Sequence, residues 1–187
     1  MSGKLNICKP YLRWRHSKGY GVHSPYAYLF VTDVLNPGPY AYYAYWEIDE
    51  NLRDSEIKNY RLIKRVKFYI RLTHFLKSRR IVAAGEKRAA LLAAAALNMA
   101  TATFEKKGDF EFKHGDLLII ENAEIDKSVI EQAIKKGVSM MTYNPSMSLR
   151  NEIGKPRERG LLFSGRKMQI LIPREEMAFT TYDIKDI

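Results

Sequence analysis

The spacing of apolar residues predicts a helical first part of the chain and a strand–helix alternation after it. Apolar and basic residues recur at helical spacing over residues 54–78, which predicts one long amphipathic helix with Asp54 or Ser55 as its N-cap. Further along, short apolar runs alternate with helical segments, as in mostly parallel sheets that carry helices on both faces. We therefore expect a helical extension, residues 1–80, packed on an α/β core, residues 81–187, as a single globular unit.

The core elements follow one another at short intervals. Four strands are predicted at residues 80–84, 101–105, 117–120 and 138–143, and helices at residues 89–100, 128–136 and 146–153. Two more β segments, residues 161–163 and 167–172, flank Ser164-Gly165-Arg166. This arrangement predicts an antiparallel hairpin or a bulged strand near the end of the chain.

Punctuating residues define a shorter helix in the N-terminal part. Ser24 suits an N-cap and Pro25 suits the first helical position, so a helix is predicted from Pro25 to about Leu35. Asn36-Pro37-Gly38-Pro39 must end it. We interpret His16 and His23 as structural, with the His23 ring hydrogen-bonded to the body of the domain.

Composition and charge narrow the class of protein. The chain has 187 residues and a formal net charge of +10, of which residues 1–80 carry +9, from 15 Lys/Arg and 6 Asp/Glu. The basic part could attract phosphate-rich partners or simply be a solvated helix face. There is no apolar run long enough for a membrane span, no apolar leader at the start, and one cysteine, Cys8. We expect a cytoplasmic protein.

The most informative local pattern is the turn at Gly85. An apolar strand precedes it and an alanine-rich helix follows, which is the layout of a nucleotide-binding βα turn. Lys87 and Arg88 stand where glycines would let a ligand approach the backbone. They could bind an anion at the helix N-terminus, although they oppose the helix dipole there.

A second motif carries a resemblance. The segment Gly19-Tyr20-Gly21-Val22-His23-Ser24-Pro25-Tyr26, together with the order of elements, resembles class I S-adenosylmethionine-dependent methyltransferase-like proteins of Bacteroidetes-type bacteria. Those proteins place a similar G-x-G-[VI]-H-S-P-[FY] segment before a helix. The resemblance covers most of the chain, and it implies a Rossmann-like, methyltransferase-type sheet with S-adenosylmethionine as cofactor.

The resemblance also implies a set of site residues. Glu105 stands where the family binds the ribose hydroxyls, and Glu121 stands where the family has an acidic residue after its fourth strand, which makes Glu121 a candidate catalytic base. The implied cofactor-binding residues are Gly85, Glu86, Glu105, Glu121 and Asn122. No metal ligand set is expected.

The chain departs from the family pattern in the same region. Ala83 replaces the acidic residue of the first strand, and Lys87 and Ala89 replace later glycines. Only residues 106–116 separate the second predicted strand from the next, too few for a further helix and strand. We therefore expect a sheet shortened at one edge, with much of the adenine pocket lost.

Three functions follow as alternatives. The first is a methyltransferase-like protein with weak or degenerate S-adenosylmethionine binding and an unknown small-molecule acceptor. The second is a non-enzymatic binding or assembly module whose basic helix, within residues 53–80, engages nucleic acid or another acidic partner. The third is a homodimer that uses the aromatic segment 40–46 as its interface.

Overall fold

The computed structural model describes residues 8–37, 45, 46, 49, 50, 59–104 and 110–187. Its helices are α1 (Cys8–Ser17), α2 (Pro25–Leu29), which continues as a π-helical turn (Phe30–Leu35), α3 (Tyr60–Leu76), α4 (Arg88–Ala96), α5 (Lys127–Lys135) and α6 (Met147–Ile153). Its strands are β1 (Arg80–Gly85), β2 (Ala100–Phe104), β3 (Asp116–Glu121), β4 (Ser139–Tyr143), β5 (Leu161–Ser164), β6 (Met168–Ile172) and β7 (Thr180–Asp183).

The seven strands of the described residues form one mixed sheet in the order β2-β1-β3-β4-β6-β5-β7. Strands β1 to β4 are parallel, β6 is antiparallel to both β4 and β5, and β7 is parallel to β5. The predicted Rossmann-like α/β class, with flanking helices, a shortened edge and an antiparallel C-terminal pair, is confirmed. Because β2 and β3 lie on opposite sides of β1, the strand order reverses beside β1.

The sheet separates two hydrophobic layers. Successive side chains of β1 point to opposite faces, so Ile81 and Ala83 join the cluster beneath α2, α3 and α4, whereas Val82 and Ala84 join the cluster beneath α5 and α6. The first cluster also holds Phe30 of the π-helical turn, whose ring stacks on Phe163 of β5 at 4.2 Å between centroids. The helical extension and the sheet thus share one core.

Helix α3 begins later than the apolar pattern predicts. Asn59 has extended backbone angles, and its side chain accepts a hydrogen bond from the Leu62 N–H at 3.2 Å, so Asn59 is the N-cap. The predicted caps, Asp54 and Ser55, lie outside the described residues. By contrast, Ser24 accepts from the Ala27 N–H, as predicted for the cap of α2.

Helix α1 and strand β7 are not predicted by the periodicity, and they contact each other. His16 Nδ1 lies 3.2 Å from the Asp183 carbonyl oxygen, and the Lys185 N–H donates to the Ser17 hydroxyl at 2.8 Å. The interpretation of His23 as a ring bonded to the body of the domain is wrong, because His23 is exposed and His16 makes that contact.

The shortened edge of the sheet ends at β2. Thr101 and Thr103 are exposed on it, and β2 pairs with β1 alone among the described strands. Beyond the undescribed residues 105–109, Phe110 and Phe112 return to pack beside Phe104. Three phenylalanine rings, Phe104, Phe110 and Phe112, therefore pack together at this edge in the hydrophobic layer beneath α5 and α6.

Both the backbone conformation and the lack of space require a glycine at position 85. Its φ is +78°, and a Cβ at this position would overlap the carbonyl oxygen of Glu121 and lie 2.6 Å from the Ala123 Cβ. The side of Gly85 that lacks a side chain is thus filled by the protein itself, by the turn that follows β3.

We expect Gly85→Ala to lower the free energy of unfolding by at least about 3 kcal/mol, because left-handed strain adds to the overlap with Glu121. Gly137→Ala is the matched control, since Gly137 also has a positive φ, +67°, but nothing lies within 4 Å of its added Cβ. It should cost only about 1–2 kcal/mol. Urea denaturation of both variants measures the difference, and equal losses would show that close approach at Gly85 contributes nothing.

Candidate functional site

An open cleft of about 750 Å³ lies at the carboxyl ends of β1, β2, β3 and β4. This is the edge of a parallel sheet where α/β proteins bind ligands, beside the point at which the strand order reverses. The apolar part of its wall is formed by Ala84, Phe104, Ala123, Ile125 and Pro145. Polar groups come from Asn122, Asn144 and Ser146, and charged side chains from Lys87 and Glu124.

Each of three adjacent strands ends, at the edge of the cleft, at or next to a residue with left-handed backbone angles. Gly85 at the end of β1, Asn122 after β3 and Asn144 after β4 have φ values of +78°, +49° and +48°. Glycine and asparagine are the residues that adopt this conformation at least cost. The three strands therefore turn sharply at the same edge, which opens the space between them.

Side-chain amides join these turns into a polar strip. Asn144 Nδ2 donates to Asn122 Oδ1 at 3.1 Å, and Asn122 Nδ2 donates to Glu86 Oε2 at 2.8 Å. Glu86 itself is exposed at the rim. The strip presents amide donors and acceptors beside the cleft, the groups that recognise hydroxyls and heterocycle edges.

Directly behind this strip lies a buried carboxylate. Glu121 is 0 % exposed, the Tyr69 hydroxyl donates to its Oε1 at 2.5 Å, and Arg65 Nη1 donates to its Oε2 at 2.5 Å. The second guanidinium nitrogen of Arg65 lies 3.4 Å from Glu86 Oε1. One arginine of α3 therefore binds the end of β3 and the residue that follows β1.

Burial controls the protonation of this group. Loss of water raises the pKa of Glu121 above its ordinary value, although the Tyr69 hydrogen bond and the charge of Arg65 act in the opposite direction. Burial and the neighbouring Glu121 carboxylate raise the pKa of Tyr69 well above its ordinary value. Tyr69 is therefore a stable hydrogen-bond donor over the physiological range of pH.

The predicted site residues that the structure describes lie in three different places. Gly85 and Asn122 line the cleft, whereas Glu86 stands at its rim and is bound to Arg65 and Asn122. Glu121 lies behind the wall with both carboxylate oxygens bound inside the protein, so its role as a catalytic base stays a prediction. Glu105 lies outside the described residues.

The strand order separates two of the implied positions. The ends of β2 and β3 are not neighbours, because β1 lies between them, so Glu105 and Glu121 follow strands on opposite sides of β1. The amide of Asn144, which follows β4, also belongs to the cleft.

The sequence does not single out Arg65 and Tyr69 as site residues. Their spacing of four places both side chains on the same face of α3. That spacing is the one feature of the sequence that indicates a shared partner. Their partner, Glu121, is 56 and 52 residues away, and no local pattern indicates that distance.

Much of the positive charge of α3 is used inside the protein. Arg71 is buried and donates to the Val34 carbonyl at 2.8 Å, and Lys67 pairs with Asp49 at 2.7 Å. With Arg65 bound to Glu121, three cations of this helix are already engaged. The aromatic segment 40–46 is described only at Tyr45 and Trp46, so its predicted dimer interface stays a prediction.

Comparison with known proteins adds no relative. No family matches the chain, and neither the curated proteins nor the solved structures contain a match. Across the described residues, no group of three or more histidine, cysteine or acidic side chains is placed to hold a metal ion. Within the same residues, no helix has the length and apolar character needed to cross a membrane.

The raised pKa of Glu121 predicts the direction in which stability changes with pH. The folded state binds one more proton than the unfolded state between the ordinary value of 4.5 and the raised one, so this group's stabilising contribution is present at acidic pH and is lost as the pH rises. We expect the free energy of unfolding of the wild type minus that of Glu121→Gln to fall as the pH rises above 4.5. Urea denaturation at a series of pH values from this point upward measures the difference.

Tyr69→Phe serves as the companion variant. It removes the hydrogen bond that lowers the pKa of Glu121, so the pKa should rise further and the fall in stability with pH should become steeper. If the difference in free energy of unfolding between the wild type and Glu121→Gln instead grows with pH, the charge of Arg65 lowers the pKa of Glu121 by more than burial raises it.

Proposed function

We propose that this chain is a methyltransferase-like protein whose cleft binds S-adenosylmethionine, or its demethylated product, weakly. The observation that carries the proposal is the open cleft at the carboxyl ends of four parallel strands, next to the reversal of strand order. Its volume, about 750 Å³, lies in the range of small-molecule sites.

The lining suits a nucleoside. Ala123, Ile125 and Pro145 are partly exposed and offer an apolar surface to a purine ring. The amides of Asn122 and Asn144 offer hydrogen bonds to its edge or to ribose hydroxyls. Lys87 precedes α4, where backbone N–H groups favour a carboxylate such as that of the methionine moiety.

Methyl transfer from a sulfonium makes modest demands on the protein. The methyl group must lie in line between the sulfur and the acceptor atom, so most of the acceleration comes from positioning. Glu124 is a carboxylate in the cleft lining, and it is better placed than the enclosed Glu121 to accept a proton from an acceptor. The acceptor itself is an unspecified small molecule.

Two features argue for weak binding. The backbone at Gly85 is covered by Glu121 and Ala123, so a ligand cannot approach it as it approaches a glycine-rich turn. Ala83 also offers no carboxylate to the amino group of the methionine moiety. The proposal therefore includes the loss of part of an inherited site. We also propose that the protein is cytoplasmic.

Isothermal titration with S-adenosylmethionine and S-adenosylhomocysteine tests it. We expect dissociation constants in the range of about 0.1–1 mM, or about 4–5.5 kcal/mol of binding free energy. Ile125→Trp should fill the cleft and abolish binding. Leu91→Trp is the matched control, since Leu91 is exposed on α4 and is not among the residues that line the cleft, so it should bind as the wild type does. Absence of heat at millimolar ligand would overturn the proposal.

A further inference from the structure

A groove of about 520 Å³ lies between α1, α3 and the segment that follows β7. Among the described residues, none that lines this groove also lines the cleft at β1 to β4. The groove is therefore separate from the cleft, and different residues form its wall.

Three lysines from three separate parts of the chain converge on it. Lys18 follows α1, Lys64 lies on α3 and Lys185 follows β7. All three are exposed, and within the described part of the chain none of their ammonium groups has an ion-pair partner. Like charges that gather without a partner repel one another, which favours a bound polyanion.

The rest of the wall keeps this positive character. Lys67 and Arg71 also line the groove, deeper along α3. Asp186 is the acidic side chain of the described lining, and its Oδ1 accepts a hydrogen bond from the Lys167 N–H at 2.8 Å. Because Lys67 is paired with Asp49, four cations without an acidic partner among the described residues face the carboxylate of Asp186, which leaves the groove basic.

Exposed aromatic rings border the same groove. Trp14 of its lining is the middle ring of a row on and after α1: the centroids of Tyr11 and Trp14 are 6.2 Å apart, as are those of Trp14 and Tyr20, with interplanar angles of 21° and 23°. These rings are 42–59 % exposed, and Tyr60, also in the lining, is 74 % exposed. A contiguous exposed apolar surface of this kind marks a binding site.

The row of rings stands on a fixed support. The contacts of His16 and Ser17 with the residues around β7 hold α1 against the sheet. Lys185, which donates its N–H to Ser17, is thereby kept beside Trp14. The cationic and aromatic parts of the groove are thus positioned by the same contacts.

From this combination we propose that the groove binds single-stranded nucleic acid. Lys18, Lys64 and Lys185 neutralise successive phosphates, and unpaired bases stack on Trp14 and the adjoining tyrosines. A duplex keeps its bases stacked inside and would use only the lysines. An acidic peptide would likewise leave the aromatic faces in water. The proposal does not depend on any ligand of the cleft.

Fluorescence anisotropy of labelled oligothymidylate and oligouridylate of about 12 nucleotides tests it. We expect both to bind at low salt, with log K falling against log salt at a slope of about −2, as three phosphate contacts on a single strand require. A duplex of equal length and polyglutamate should each bind at least about tenfold more weakly.

Variants separate stacking from charge. Trp14→Ala should weaken binding about tenfold with the salt slope unchanged, and Trp14→Phe should retain most of the affinity. The triple variant Lys18→Ala, Lys64→Ala, Lys185→Ala should bring the slope close to zero. The matched control removes three exposed lysines of α5 and its end, on the other face of the sheet: Lys127, Lys135 and Lys136.

The control should bind within about twofold of the wild type, and thermal melting should confirm that every variant is folded. Four results would overturn the proposal: no binding of either oligomer at low salt, equal binding of duplex, equal binding of polyglutamate, or an equal loss in the α5 control.

Discussion

A buried carboxylate holds the helical extension to the sheet. An unpaired charge enclosed as Glu121 is would cost several kcal/mol, so its enclosure requires the donors that α3 supplies. Tyr69 and Arg65 meet that requirement, and in doing so they fix the rotation and height of α3 over β3. The rest of the carboxyl edge is built outward from this contact, because the same arginine also reaches Glu86 at the end of β1.

This arrangement explains why the cleft is lined chiefly by amides and apolar groups. Arg65 and Glu121 bind each other behind the wall, and the wall itself presents the strip of asparagines on left-handed strand ends together with two charged residues, Lys87 and Glu124. Such a wall can bind a neutral heterocycle or ribose, but it offers few charged groups for proton transfer.

The sequence predicts what short-range physics decides. The buried strands, the Ser24 cap and the terminal hairpin each follow from residues close to one another, and the structure confirms them. What it could not predict depends on distant partners. Helix α1 and strand β7 are stabilised by each other across the length of the chain, and the Arg65–Glu121 pair joins residues 56 apart. The cleft could be placed at Gly85, whereas its amide strip and its closed backbone needed the three-dimensional arrangement.

The shortened sheet also has an unprotected edge strand. Strand β2, with the sequence Ala-Thr-Ala-Thr-Phe, lies at the margin of the sheet among the described strands and contains neither a proline nor a charged residue that would block pairing. A strand in the interior of a sheet needs no such protection, but a marginal strand does. In concentrated solution this margin is therefore the natural starting point for edge-to-edge association, and one lysine introduced at Thr101 would serve as a gatekeeper against it.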